Sequence, residues 1–263
     1  MPDALQTWHF GLVARWWAEF NQDGPEIDYY RGVIERSGEP AVDVGCGTGR
    51  LLIPYLRAGL DVDGADISGD MLAWCAEAAK RGGLSPRLYE QPMHALDIPR
   101  RYRTIFVCGS FGLAGSRAPD TLRSFYEHLE PGGSIAIDSG GPAMTEERWR
   151  RQVERVPPLP EPWPAQGTRR RAADGSELDM RTRLVAFDPA ERAHSREIRV
   201  ELWRDGALVA SEERRLDGHE YLEGELLALM RDAGFVDVRA EDGYASEWSR
   251  GEPVRVSFGT RPA

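Results

Sequence analysis

Val42-Asp43-Val44-Gly45-Cys46-Gly47-Thr48-Gly49-Arg50 is the stretch that decides the fold. Ala41 to Val44 reads as a short buried strand, and Leu51, Leu52, Tyr55 and Leu56 carry the spacing of a helix. Between them stand three glycines at alternate positions. Without a Cβ, this turn can adopt left-handed backbone angles and let a ligand approach the chain closely. Asp66 follows 21 residues after Gly45, at the end of a second predicted strand, Val62 to Ile67. A carboxylate there can accept hydrogen bonds from both hydroxyls of a ribose. Glycine turn and carboxylate together predict a nucleoside site at the carboxyl edge of a parallel sheet.

Outward from this unit the alternation continues. Ser68 is a predicted cap for a helix through Met71, Leu72, Cys75, Ala78 and Ala79. Arg87 to Tyr89, Thr104 to Cys108 and Ser134 to Ile137 read as further strands, with a helix through Leu122, Phe125, Tyr126 and Leu129. Strands alternating with helices predict an α/β fold with a doubly wound, mostly parallel, seven-stranded Rossmann-like sheet. Residues 1–40 hold Trp8, Phe10, Trp16, Trp17, Phe20, Tyr29 and Tyr30, broken at Asn21 to Pro25, and predict an N-terminal helical lid. Residues 41–139 form the expected core. Residues 140–175 are rich in Pro and Arg and read as a loop or lid. Three alternating stretches follow, Leu178 to Phe187, Ser195 to Trp203 and Ala207 to Leu216, the last two joined by the hairpin signal Asp205-Gly206. Residues 140–216 therefore predict an inserted antiparallel β-sheet lid. Residues 217–263 complete the core with a helix, Leu222 to Ala233, and strands at Phe235 to Ala240 and Val254 to Gly259.

Three motifs in this order resemble the class I S-adenosylmethionine-dependent methyltransferases. They are Asp43-x-Gly45-x-Gly47-x-Gly49, Asp66-Ile67-Ser68-x-Asp70-Met71-Leu72 and Leu129-Glu130-Pro131-Gly132-Gly133. The resemblance covers residues 25–140 and implies S-adenosyl-L-methionine as cofactor and S-adenosyl-L-homocysteine as product. It implies that Asp43, Gly45, Cys46, Gly47 and Gly49 build the turn at the methionine moiety and that Asp66 holds the ribose. Ile67 and Met71 would pack on adenine, the backbone at Met93 would meet its edge, and the carbonyl near Cys108 would hold the methionine amine. Tyr29 and Tyr30 would reach the carboxylate or the acceptor. The family's usual acidic residue before the position of Met93 is replaced by Pro92, so His94 becomes the nearby polar contact. The inserted sheet resembles that of amino-sugar and natural-product enzymes. There it implies an acceptor pocket, with Trp16, Ser110, Phe111, Trp149 and Trp203 as lining candidates and His219 and Tyr221 as catalytic candidates.

Composition narrows the acceptor. The 263 residues carry a net charge of −10, against the clustered positive charge that nucleic-acid binding needs. Cys108-Gly109-Ser110-Phe111 lacks the Asn/Asp-Pro-Pro-Tyr/Phe of DNA and protein aminomethylases and the carboxylate of catechol-type enzymes, so neither of those acceptors nor a metal is expected. No apolar run suits a membrane span, and Met1-Pro2-Asp3-Ala4 does not begin a signal peptide. Three cysteines without paired spacing predict a reducing cytoplasm. The expected function is methyl transfer to a small molecule, at N or O rather than C, mainly by positioning donor and acceptor. The alternative is the same fold binding the cofactor without transfer, as a pericyclase-like isomerase or a binding module. Nothing in the sequence selects monomer or homodimer.

Overall fold

A computed structural model describes residues 7–138, 140–245, 249 and 251–263. The tetrapeptide Met1 to Ala4, on which the signal-peptide expectation rests, lies outside the described residues. So does Ser139, at the expected domain boundary.

The strand β1 (Ala41–Val44) is buried at every position and pairs in parallel with β2 (Val62–Asp66) and β4 (Tyr102–Val107). The sheet extends through β3 (Leu88–Glu90) on one side and β5 (Leu129–Asp138) on the other. Two antiparallel strands, β10 (Val236–Ala245) and β11 (Pro253–Thr260), finish it, in the order β10-β11-β5-β4-β1-β2-β3. Side chains alternate across the sheet. Ile105, Val107, Ile135 and Ile137 point to the side of α5 (Ala118–His128) and α7 (Glu223–Asp232), meeting Leu122, Phe125, Leu226 and Met230. Phe106 and Ala136 point to the side of α2 (Glu26–Ser37), α3 (Leu52–Arg57) and α4 (Gly69–Arg81), meeting Tyr30, Ile34, Leu52 and Cys75. Fully burying such a leucine or phenylalanine contributes about 2 kcal/mol. Coverage of both faces is why these strands read as near-continuous apolar runs.

The insertion departs from expectation in two places. It has four strands, not three: β6 (Thr168–Arg171) pairs antiparallel with β7 (Glu177–Asp188), which precedes β8 (Ala193–Arg204) and β9 (Ala207–His219). The run Arg169-Arg170-Arg171, which sequence alone assigns to a loop, is this exposed edge strand. Arg169 lies over the Trp203 ring and Arg170 over Phe20, so cation–π contacts hold an otherwise polar strand in place. The expected loop also contains a helix, α6 (Glu146–Val153), capped by the Thr145 hydroxyl. Its apolar anchor, Trp149, stacks on Phe187 with ring centroids 5.2 Å apart.

The inserted sheet is divided lengthwise. Ile198, Val200 and Leu202 on its inner face are covered by Val13 and Trp16 of α1 (Gly11–Phe20). Further along the same face, His194 and Arg196 line an open cleft. The opposite face carries Trp163 between the guanidinium groups of Arg183 and Arg199.

Candidate active site

Gly45, Gly47 and Gly49 all have positive φ, at 81°, 53° and 87°. They differ in what a side chain would meet. A Cβ on Gly45 would lie 2.5 Å from Ser110 Oγ, and one on Gly47 would lie 3.1 Å from Met71 Cε. Both glycines face a cavity. A Cβ on Gly49 would strike Cys75 Sγ at 2.6 Å, so that glycine serves the packing of α3 on α4. Replacing Gly45 by alanine is expected to cost about 1–3 kcal/mol, from left-handed strain plus the Ser110 contact. Ser110→Gly should recover part of that loss in the double variant. Urea denaturation checks both, and an alanine variant as stable as the parent would show that the turn tolerates a side chain.

The backbone of this turn is tied to β2, where Gly45 N and Cys46 N both donate to Ala65 O. Asp66 then gathers two neighbours: Gly47 N donates to Oδ2 at 2.9 Å and Ser68 N to Oδ1 at 2.8 Å. Each carboxylate oxygen keeps acceptor capacity. Asp66 lines the cavity with Gly45, Gly47, Ile67, Met71, Met93, His94 and Ser110. Sequence reasoning missed Thr7, His9, Gln91 and Leu113 in this wall. His9 arrives because Gly11 N donates to Asp70 Oδ2 at 2.7 Å and Ser68 Oγ donates to His9 O. The cavity is narrow, about 110 Å³, with Thr7 and His9 forming part of its wall. Burial pushes the His9 imidazole down to about 4.

Several expected cofactor residues stand elsewhere. Asp43 is buried behind the turn, 3% exposed. Burial, with the Asp66 carboxylate nearby, pushes its pKa up to about 8. The Cys46 side chain packs toward Gly64 and away from the cavity, because the turn's tether to Ala65 rotates it inward. Burial raises the thiols of Cys46 and Cys108 well above the ordinary cysteine range, so neither is a thiolate nucleophile at neutral pH. Tyr29 packs on Tyr244 with centroids 5.4 Å apart, on the α2 side of the sheet, and does not line the cavity.

Tyr30 leads to a residue the sequence did not single out. Its hydroxyl donates to Asp138 Oδ2 at 2.5 Å, and the Tyr244 hydroxyl donates to the same oxygen at 3.0 Å. Gly109 N and Gly140 N donate to Asp138 Oδ1 at 2.8 and 2.7 Å. One buried carboxylate thus joins α2, β10 and the segments leaving β4 and β5.

A folded-state carboxyl with a raised pKa binds its proton more tightly than the unfolded chain does. Stability is therefore fullest at low pH and falls as pH rises through that interval. For Asp43 the interval runs from its ordinary value, 3.8, to about 8. Burial of Asp66 and Asp138 acts in the same direction. Asp43→Asn is expected to flatten this slope, so its melting temperature relative to the parent rises as pH is raised through that interval. A constant difference across it would rule the assignment out.

Beside Gly140 opens a larger cleft of about 920 Å³ between α6, the inner face of β7 and β8, and the edge of the main sheet. Its wall is charged, with Arg148, Arg196, Arg255, Glu220 and Glu223 among its residues. Tyr221 lines it, donates to Gly115 O and packs on Phe111 with centroids 5.4 Å apart. Because Phe111 follows Ser110 and Gly140 lies against Gly109, the cleft and the glycine-lined cavity are neighbours. Phe111 itself is fully buried in the core. His219 is not in the cleft wall; its ring packs on Tyr221 at 4.4 Å. His194 takes the expected place of a cleft imidazole, pushed down to about 4 by burial and by Arg196. Burial pushes the Glu220 carboxyl up. Trp16 is spent on the α1 contact, Trp149 on Phe187, and Trp203 on Glu201 and Arg169, so none of the three lines the cleft. Among the described residues no group of three His, Cys, Asp or Glu is arranged to hold a metal. No helix among them is long and apolar enough to cross a membrane.

Residues 41–133 match the family model described as a methyltransferase domain. The core that carries this likeness runs from β1 into β5. Over 100 residues, 37% of the chain, it is 30% identical to a protein of Geobacillus sp. (strain WCH70) whose own assignment as a methyltransferase is provisional. That match spans about 40% of the relative's length. The methyltransferase fold extends through the whole chain. An S-adenosylmethionine-dependent methyltransferase of Clostridium acetobutylicum superposes with a TM-score of 0.68 at 15% identity, covering 96% of this chain and 98% of that one. The sugar N-methyltransferase KedS8 of Streptoalloteichus superposes with a TM-score of 0.69 at 18% identity, covering 100% and 96%. The CcbJ methyltransferase of Streptomyces caelestis gives 0.67 at 20%, covering 95% and 96%. At these identities the likeness is one of fold.

The glycine-lined cavity fits S-adenosylmethionine by its own chemistry. Two buried polar atoms in its wall, Ser110 Oγ and His94 Nδ1, have no hydrogen-bond partner among the described residues. Its glycine cradle has no room for a Cβ. Ile67 leaves 39% of its surface open beside Asp66. Diol acceptor, apolar face and unspent polar atoms are the set a nucleoside requires.

Proposed function

We propose that this chain is an S-adenosylmethionine-dependent methyltransferase that methylates an N or O atom of a small molecule. The adjacency of the glycine-lined cavity and the charged cleft, meeting at Gly109, Gly140, Phe111 and Tyr221, carries this reading. When bound, the cofactor supplies an electrophilic methyl group on a sulfonium. Asp66 holds its ribose, and the Gly45–Gly47 turn and Ser110 hold the methionine end. Asp138 positions Gly109 and Gly140 between the two ligands. Orienting two reactants this way can supply much of the rate enhancement of a displacement. Where the acceptor atom must lose a proton, Glu220 and His194 are candidate bases on the cleft wall.

A small, polar acceptor is supported by the cleft's charged lining and by the net charge of −10, which disfavours nucleic acid. Neighbours in fold include a sugar N-methyltransferase and an amino pentose methyltransferase, which supports acceptors of that size. Three free cysteines support a reducing, cytoplasmic setting. Calorimetry with S-adenosylmethionine and S-adenosylhomocysteine, followed by a panel of small amines and alcohols with methyl-labelled cofactor, tests the proposal. Binding and a methylated product are expected. No binding of either ligand ends it, and binding without product from any acceptor favours the non-transferring alternative.

A further inference from the structure

The charges of the large cleft can be matched one against another. Arg148 pairs with Glu252 at 2.8 Å, Arg151 with Glu147, and Arg255 with Glu223. Glu161 accepts from Leu184 N at 2.7 Å. Arg155, Arg196 and Glu220 are left over: their side chains have no hydrogen-bond or ion-pair partner among the described residues.

Arg196 is singled out by its place in the sheet. The other arginines of β7, β8 and β9 each lie within ion-pair distance of a carboxylate. Two of them, Arg183 and Arg199, stand directly opposite their partners Glu197 and Glu213 on the next strand. Arg196 stands opposite Leu184 on one side and Leu216 on the other. Apolar neighbours can meet the alkyl stem of an arginine but not its head. The head is on the cleft wall with His194 and Glu220. Burial raises the Glu220 carboxyl and Arg196 lowers it, while burial and Arg196 both lower the His194 imidazole, so the three are close enough to interact.

The order along the wall follows from the strands. β9 ends opposite Ala193, and the chain continues through Glu220 to Tyr221, which packs on Phe111 beside the cofactor cavity. Arg196 stands about 7 Å beyond His194 along β8, away from that end. A nucleophile placed beside Tyr221 therefore leaves the rest of the acceptor to extend toward Arg196. The chain as a whole, at −10, repels anions at long range, so an anion bound here needs a specific partner.

We propose that Arg196 recognises an acid group of the acceptor, a carboxylate or a phosphate monoester, and so selects anionic small molecules over neutral ones. This rests on the methyltransferase reading above and deepens it. A planar guanidinium meets either group with two parallel hydrogen bonds. Arg155, from the segment after α6, adds positive charge to the same cleft.

Calorimetry on the whole chain, loaded with S-adenosylhomocysteine, compares aminohexanoate with its amide and glycerol phosphate with glycerol. The parent is expected to bind at least one acid roughly tenfold more tightly than its neutral twin, as one charge-assisted contact in an open cleft would give. Which acid is preferred separates carboxylate from phosphate. Arg196→Gln should abolish the preference, and Arg196→Lys, which keeps the charge, should restore part of it. Because the guanidinium has no partner to lose, Arg196→Gln should melt and bind S-adenosylhomocysteine as the parent does. A parent without preference for either acid, or a preference that survives Arg196→Gln, overturns the proposal and leaves the methyltransferase reading standing. Failure of the parent to bind S-adenosylhomocysteine overturns that reading, and this inference with it.

Discussion

Asp66→Ala is expected to weaken S-adenosylhomocysteine binding by about a hundredfold. The carboxylate has the capacity to accept from both ribose hydroxyls, and a hydrogen bond to a charged acceptor is worth about 1.5–3 kcal/mol. Two at the low end come to about 3 kcal/mol, a factor of about 10² in affinity. The substitution also frees Gly47 N and Ser68 N, which the carboxylate holds at 2.9 and 2.8 Å, so the glycine turn loses its tie to the next strand. Asp66→Asn is not a silent control. Both present partners are N–H donors, and the amide can offer an oxygen to only one of them. Calorimetry reads the binding loss, and urea denaturation separates it from loss of fold. An alanine variant that binds within threefold of the parent would remove Asp66 from the cofactor site.

The second large effect is on stability. Asp138 is 1% exposed and accepts from Tyr30, Tyr244, Gly109 and Gly140. Asp138→Ala leaves four donors in the interior, two of them backbone N–H groups that cannot turn away. Breaking a buried polar cluster by removing its centre costs about 3–5 kcal/mol, which for a chain of this size lowers the melting temperature by roughly 10 °C. Asp138→Asn should cost less, because its oxygen still accepts while its amino group can donate to a tyrosine hydroxyl. The order parent, Asn, Ala in thermal denaturation supports the clamp. Equal stability of the Ala and Asn variants would show that the four contacts are individually dispensable.

Residues close in sequence were the most legible. The turn at Gly45 to Gly49 and the carboxylate at Asp66 belong to one strand–helix–strand unit, where local geometry fixes their relation. Strand and helix periods were equally plain in the buried core. They failed where polarity hid an element. Only Trp149 is buried in Glu146–Val153, and β6 is an arginine run held by rings from distant segments. Aromatic side chains near the insertion were readable as buried but not as facing anything. Trp16 and Trp203 occupy different faces of the inserted sheet, and neither faces the cleft.

By itself the sequence determined that a glycine-lined turn and a carboxylate meet at the end of a parallel sheet, because glycine conformation and strand polarity are local properties. Only tertiary structure decided which groups complete it. Asp138 draws its donors from positions 30, 109, 140 and 244, His9 reaches the cavity through contacts 59 residues away, and Gln91 is tied to Asp97. Such roles depend on which distant partners share a buried volume, and a buried polar group takes its meaning from the partners it finds there.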